Sequence, residues 1–172
     1  MPFKILKLGS EELTAPNLIV KDHWFKTDQL KLFANEMLAC MALSDGIGLA
    51  APQVGKNIRL FVMNNSPEVL VCINPVIIET SEFSSVSLEG CLSFPGLYLD
   101  IIRPITVKVA YFDVEGDLVE RDLDGILARC FQHELDHLNG ILFTSHVKKI
   151  KLDQARRKAK ITERKKIRRK RR

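Results

Sequence analysis

The stretch Phe131-Gln132-His133-Glu134-Leu135-Asp136-His137-Leu138-Asn139-Gly140 holds the residues best suited to chemistry in this chain. On a helix, residues four apart lie on one face, so His133 and His137 stack about one turn apart. Two imidazoles at that spacing grip one metal ion, and Glu134 reaches the same side of it. The chemistry of such a set is hydrolysis, with the ion activating water and Glu134 taking its proton. The competing reading is an amphipathic helix that happens to carry two histidines. The chain has four histidines in all, and two of them bracket one Glu here, which favours the metal.

Two histidines leave an ion short of a third protein ligand, with a fourth position for water. Downstream, His146 is the only further histidine and acids are few. Upstream, Cys91 in Glu89-Gly90-Cys91-Leu92-Ser93 offers a soft thiolate. A lone cysteine is more often a small buried hydrophobe, so both readings stand at this point. Further upstream, Asp45-Gly46-Ile47-Gly48-Leu49-Ala50-Ala51-Pro52-Gln53 combines two glycines with small residues. Such a run marks backbone passing close to something. A tight turn between helix and strand is the plainer alternative, and a Gly-x-Gly pair alone is a weak nucleotide-binding signal.

Taken together and in this order, Gly46-Ile47-Gly48-Leu49-Ala50-Ala51-Pro52-Gln53, Glu89-Gly90-Cys91-Leu92-Ser93 and Gln132-His133-Glu134-Leu135-Asp136-His137 resemble the three signature motifs of peptide deformylases. The resemblance covers residues 3 to 147, and the bacterial and organellar type with a C-terminal helical extension fits best. It implies one divalent metal ion held by Cys91, His133 and His137, with Fe2+ as the native ion and Zn2+ as a form that also loads. It implies removal of formate from the N-formylmethionine of new polypeptides. Glu134 would shuttle the proton, while the Leu92 backbone N–H and the Gln53 amide would stabilise the developing oxyanion beside the metal. Without the resemblance, Gln53 reads as a surface residue of a turn.

Ile126 and Cys130 share a helical face with the metal ligands and, with Ile47, could form an apolar slot for the methionine side chain. Arg129 lies on that face too, where the family often has an aliphatic residue. Its stem either rims the slot or points away. The backbone of Ile47, Gly48 and Gly90 would pair with the peptide in strand fashion, as in the family. Asp136 points off the metal face, and a structural salt bridge to Arg103 is the expectation for it.

These residues need elements to position them. At 172 residues the chain is of single-domain size, with 46% hydrophobic and 27% charged residues, an ordinary globular balance. No apolar run approaches the roughly 20 residues of a membrane span. The N-terminus lacks an apolar signal region, and Cys40, Cys72, Cys91 and Cys130 form no CxxC pair. We therefore expect a soluble, cytoplasmic protein of a reducing compartment, monomeric and without membrane contact. Residues 3–8 read as a short arm or edge strand. Leu30, Phe33, Ala34, Met37, Leu38 and Met41 form a helical stripe, with Thr27 or Asp28 as N-cap. Apolar runs at 58–63 and 69–73, punctuated by Asn64-Asn65-Ser66-Pro67 and Asn74-Pro75, read as strands. One or two more strands fall within 76–92, and residues 105–111 with 118–122 form a hairpin. Asp122 or Asp124 would cap the histidine helix and Asn139-Gly140 would end it. The fold class is α+β, with mostly antiparallel sheets packed around a central metal-binding helix.

Charge divides the chain. Residues 148–172 hold 15 Lys/Arg against Asp153 and Glu163, a net of +13, while the remainder is at −8. We read residues 1–147 as the catalytic domain and 148–172 as a basic extension, helical over 152–160 and fraying or partly disordered beyond. A polycation suits rRNA, and the resemblance places the enzyme at the ribosome with N-formylmethionyl nascent peptides as substrate. Two other functions compete. A metallopeptidase acting on internal bonds fits poorly with Cys91 as third ligand. An RNA-binding protein with a structural metal site would close all four positions with Cys or His, and no fourth ligand is evident.

Overall fold

The structure is a computed structural model describing residues 3–66 and 68–170. Thr27 opens the first helix, α1 (Asp28–Leu43): its side-chain oxygen accepts from the Leu30 N–H at 3.2 Å. The predicted stripe is the buried face, with Leu30, Ala34, Met37 and Met41 all inside. The chain then turns through Asp45, whose φ is 53°, into β1 (Gly48–Ala50). That short strand stands where a tight turn was the plainer reading. A 3-10 turn at Ala51–Val54 follows.

Next come β2 (Leu60–Asn65) and β3 (Glu68–Thr80). Pro67, part of the predicted turn between them, lies outside the described residues. The expected break at Asn74-Pro75 is instead a bulge within one long strand. Asn74 takes a φ of 50°, and its side-chain amide both donates to and accepts from the Val20 backbone at 2.9 Å. A proline at a bulge costs the ladder no hydrogen bond. Then follow β4 (Ser84–Gly90), β5 (Tyr98–Pro104), β6 (Thr106–Phe112) and β7 (Leu118–Asp124). Five strands form an antiparallel sheet in the order β1-β2-β3-β6-β7, and β4 pairs with β5 in a separate two-stranded sheet.

The histidine helix, α2 (Gly125–Leu138), starts where β7 ends. Asp124 occupies the N-cap position but makes no side-chain cap bond, and Asp122 is still in β7. Gly125, at φ 50°, makes the sharp entry that a cap was expected to provide. The C-terminal end is as predicted: Gly140 has φ 69°, and Ile141 N–H bonds the Asp136 carbonyl at 2.8 Å.

The helix is central. Its Ala128, Phe131 and Leu138 pack against Phe61, Met63, Cys72 and Val109 of the large sheet, with Phe61 and Phe131 edge to face at 5.0 Å. Leu60, Val62 and Ile73 belong to a second cluster with α1. The alternation of β2 thus divides the two cores, as period-2 side chains require. Residues 3–7 form no strand. Leu6 N–H bonds Gln53 O at 2.8 Å and Leu8 N–H bonds Ser93 O at 3.3 Å, so the arm lies on a turn and a loop, with no ladder to join.

The C-terminal helix, α3 (Lys149–Lys170), is longer than the expected 152–160 segment and continues through the residues read as fraying. Arg171 and Arg172 lie outside the described residues. Leu152 and Ala155 pack against the cluster of Phe94, Leu97, Leu99, Ile101 and Phe143. Among the described residues, no helix is long and apolar enough to cross a membrane.

Candidate active site

Cys91 follows β4 directly, while His133 and His137 sit one turn apart on α2. The three side chains bring one ligand atom each to within 4.8 Å of one another. Cys91 Sγ lies 3.3 Å from His137 Nε2. A tetrahedral ion with a metal–sulfur bond of about 2.3 Å and metal–nitrogen bonds of about 2.0 Å holds its donors roughly 3.5 Å apart. The cluster therefore fits a divalent ion. Burial depresses the His137 imidazole to about 3, and the charges of His133 and Arg103 add to that. Burial also opposes charge on His133, yet hydrogen bonds to Cys91 and Glu89 prevail and lift it to about 10.

Behind the ligands lies a network of charge that sequence reading found only in part. Glu89 Oε1 accepts from Arg103 Nε at 2.7 Å and from Arg129 Nη1 at 2.6 Å. Its Oε2 accepts from Arg103 Nη2 at 3.0 Å and meets His133 Nδ1 at 3.0 Å. Bonding Nδ1 to a carboxylate turns Nε2 toward the cluster, the usual way of orienting a metal-binding histidine. Arg103 Nη1 continues to Asp136 at 2.9 Å, as expected, and Asp136 also meets His146 Nε2 at 2.8 Å. His146, the other candidate downstream ligand, is thus engaged elsewhere. Glu89 had been read only as part of the cysteine motif. The available signal was an acid in that motif followed by Arg103 in a short apolar run.

Glu134 is buried, and its Oε2 has no hydrogen-bond partner among the described residues. Burial raises its carboxyl to about 7 against the pull of His133 and Arg103, a value matched to proton transfer near neutrality. Gln53 is buried rather than a surface turn residue. Its Oε1 accepts from Ala50 N–H at 2.8 Å, and its Nε2 donates to Ser93 Oγ at 3.1 Å and faces Cys91 Sγ at 3.5 Å. The amide is therefore fixed with its donor toward the cluster.

A cleft of about 550 Å³ opens over these groups, lined by Ile47, Gly48, Gly90, Leu92, Ile126, Arg129 and Cys130 among others. Ile126 and Ile47 expose 61% and 49% of their surface, so they sit at the mouth, whereas Cys130 is buried with its thiol on the Ile47 carbonyl. Arg129 neither points away nor presents its charge to the cleft, because its guanidinium turns inward to Glu89. Lys7, which sequence reading passed over, reaches the cleft from the N-terminal arm and donates to Leu92 O at 2.9 Å.

Gly48 explains its motif: a Cβ there would strike the Glu134 carboxylate and stand 2.7 Å from Cys130 Sγ. Gly48→Ala should therefore displace Glu134 and slow turnover by about 10²-fold or more while metal content stays normal. Formate release measured beside metal analysis checks this, and an unimpaired Gly48→Ala enzyme would contradict the close approach.

A partly buried cysteine beside two buried imidazoles, next to a glutamate whose Oε2 has no partner among the described residues, is the donor set of a metal-dependent hydrolase. The polypeptide deformylase family profile matches residues 2–153. A peptide deformylase of Brucella suis is 45% identical over 138 residues, covering 77% of this chain and 79% of its own length. One from Prochlorococcus marinus is 46% identical over 153 residues, covering 85% and 73%. A crystal structure of the Synechococcus elongatus peptide deformylase with actinonin has a TM-score of 0.86 at 43% identity, covering 92% of this chain and 86% of that one. A Met-Ala-Ser-bound enzyme from Acinetobacter baumannii has a TM-score of 0.82 at 33% identity, covering 86% and 99%. The chain belongs to the polypeptide deformylase family. It is a metal-dependent hydrolase that removes the N-formyl group from N-terminal formylmethionine.

Proposed function

We propose that the deformylation is carried out by Glu134 as proton shuttle, with Cys91, His133 and His137 holding one Fe2+ ion in the native enzyme. The observation that carries this reading is the convergence of the three ligand atoms beside buried Glu134. A bound divalent ion supplies Lewis acidity and water acidified to near neutral pKa. Glu134 takes the proton of the attacking water and passes it to the departing amine nitrogen. The Gln53 amide and the Leu92 N–H donate to the formyl oxygen as it gains charge. The methionine side chain enters between Ile47, Ile126 and Cys130, over the Arg129 stem. The peptide backbone pairs with Ile47, Gly48 and Gly90 at the cleft wall; the similar Acinetobacter enzyme has been solved with Met-Ala-Ser bound.

A thiolate and two imidazoles bind zinc more tightly than ferrous iron, so the two metals separate affinity from speed. The iron form should turn over a formyl-methionyl peptide faster than the zinc form, and should lose activity in air as metal and Cys91 oxidise. Protein purified without oxygen and loaded with each metal provides the test. Equal rates and equal air stability would refute the assignment of iron.

We further propose a cytoplasmic monomer whose basic extension docks on ribosomal RNA. Because Leu152 and Ala155 pack on the catalytic body, the separable part begins beyond residue 159. If about six cations meet phosphate, log affinity should fall against log salt with a slope of about −4 to −5. Ribosome pelleting over a salt series should lose that dependence when residues 160–172 are removed, with peptide turnover kept. A truncated chain that pellets like the full one would rule the docking out.

A further inference from the structure

We propose that Arg129 is a positioning residue, holding Glu89 against the candidate metal ligand His133 together with Arg103. This rests on the Cys91/His133/His137 metal site. Arg129 leaves α2 at the wall of the cleft and crosses to the two-stranded sheet. There its Nη1 bonds Glu89 Oε1 at 2.6 Å and Ile101 O at 3.0 Å, while Nη2 bonds Ser85 O at 2.9 Å and Ser85 Oγ at 3.2 Å. Ser85 is on β4 and Ile101 on β5, so one guanidinium ties the histidine helix to both strands that flank it.

The geometry at Glu89 gives that tie a consequence at the metal. A carboxylate has about four lone-pair sites, and here each oxygen meets two donors. Arg129 shares Oε1 with Arg103, which leaves Oε2 to His133 Nδ1 and one Arg103 nitrogen. With Arg129 gone, Oε1 would keep only the Arg103 Nε donor, and the carboxylate could slide along the Arg103 fork away from the imidazole. Charge counting points the same way. Glu89 faces Arg103, Arg129 and His133, and Asp136 faces Arg103 and His146, so removing Arg129 takes one of two arginines from a buried carboxylate. An aliphatic side chain would line the cleft equally well but could do neither task.

The test is metal retention in the cobalt-loaded full chain, read by its visible absorption bands and by the rate of loss to a chelator. Arg129→Met keeps the stem; it should shift the bands and speed metal loss about 10-fold, the low end of outer-shell effects. Arg129→Lys, which restores one donor, should recover most of both. If Arg129 acts through Glu89, then in a Glu89→Gln background the same change should add less than about 2-fold, because coupled residues are not additive. Arg129→Gln, uncharged but still a donor to the hairpin carbonyls, replaces Arg129→Met if that variant does not fold, with the same expectations. Parental bands and rate in the tested variant, or the full effect persisting in Glu89→Gln, would overturn the proposal. Cys91→Ser tests the metal site separately: unaltered cobalt bands there would refute the ligand set, whatever Arg129 does.

Discussion

Glu134→Gln is expected to release formate from a formyl-methionyl peptide about 10²–10⁴-fold more slowly than the parent protein, with its metal content unchanged. The substitution is nearly isosteric, so the buried site keeps its shape while losing the carboxylate proposed above as the proton shuttle. Its neighbours argue against other outcomes. Gly48 keeps the backbone clear of the Glu134 carboxylate, and Glu89 and Asp136 are committed to arginines. Neither could replace it as base without breaking its own ion pair. Metal analysis alongside turnover distinguishes loss of the shuttle from loss of the ion. A metal-replete Glu134→Gln protein with the normal rate would remove Glu134 from the mechanism.

Arg103→Met should cost about 3–5 kcal/mol of stability at pH 7, the usual result of taking one partner from a buried ion pair. It takes the two-point partner from buried Glu89, leaving Arg129 and His133 there, and leaves Asp136 with His146. The pH dependence carries a definite sign. Burial would raise the Glu89 carboxyl, but hydrogen bonds from His133 and Arg103 outweigh it and hold the group at about 2, below the ordinary 4.5. A depressed carboxylate contributes stability that is complete above the unfolded value and lost as pH falls through the folded one. The gap between parent and Arg103→Met should therefore be widest above pH 4.5 and narrow toward pH 2. Denaturant titrations across that range measure it. A gap constant with pH would mean that Arg103 acts by packing alone.

Much of this was legible because period and chemistry agree. The α1 stripe, the β6–β7 hairpin and the histidine helix each bury the face their apolar residues mark. His133, His137 and Glu134 stood out as a candidate set because the chemistry needs those residue types at that spacing, whereas Cys91 joined them only through the resemblance of its motif. What escaped reading depends on partners far along the chain. In β5, the inward position after Leu99 and Ile101 is Arg103, a charge that breaks the apolar alternation and hides the strand. Its burial makes sense only beside Glu89 of the paired strand and Asp136 of the helix. The partners of the Arg129 guanidinium escaped for the same reason, since the carbonyls that satisfy it belong to the two-stranded sheet. Gln53 was visible as a motif residue, but its burial comes from Ser93 and Cys91, which no local pattern in the 3-10 turn reveals.

The two-stranded sheet bonds through its ladder only to itself. At one end it is hinged to the large sheet, where Ile105 N–H meets Phe83 O and Ser81 N–H meets Thr106 O. The opposite end, Gly90 opposite Tyr98, is the end that leads into Cys91. A two-stranded hairpin is marginal in water by itself, so a bond from Cys91 through an ion to α2 would add a clasp at this end to the side-chain ties already holding the hairpin. Gly90 and Tyr98 also line the cleft. An ion joining Cys91 to α2 would then bear on the wall of the cleft as well as on its chemistry, so metal loading and cleft shape should change together.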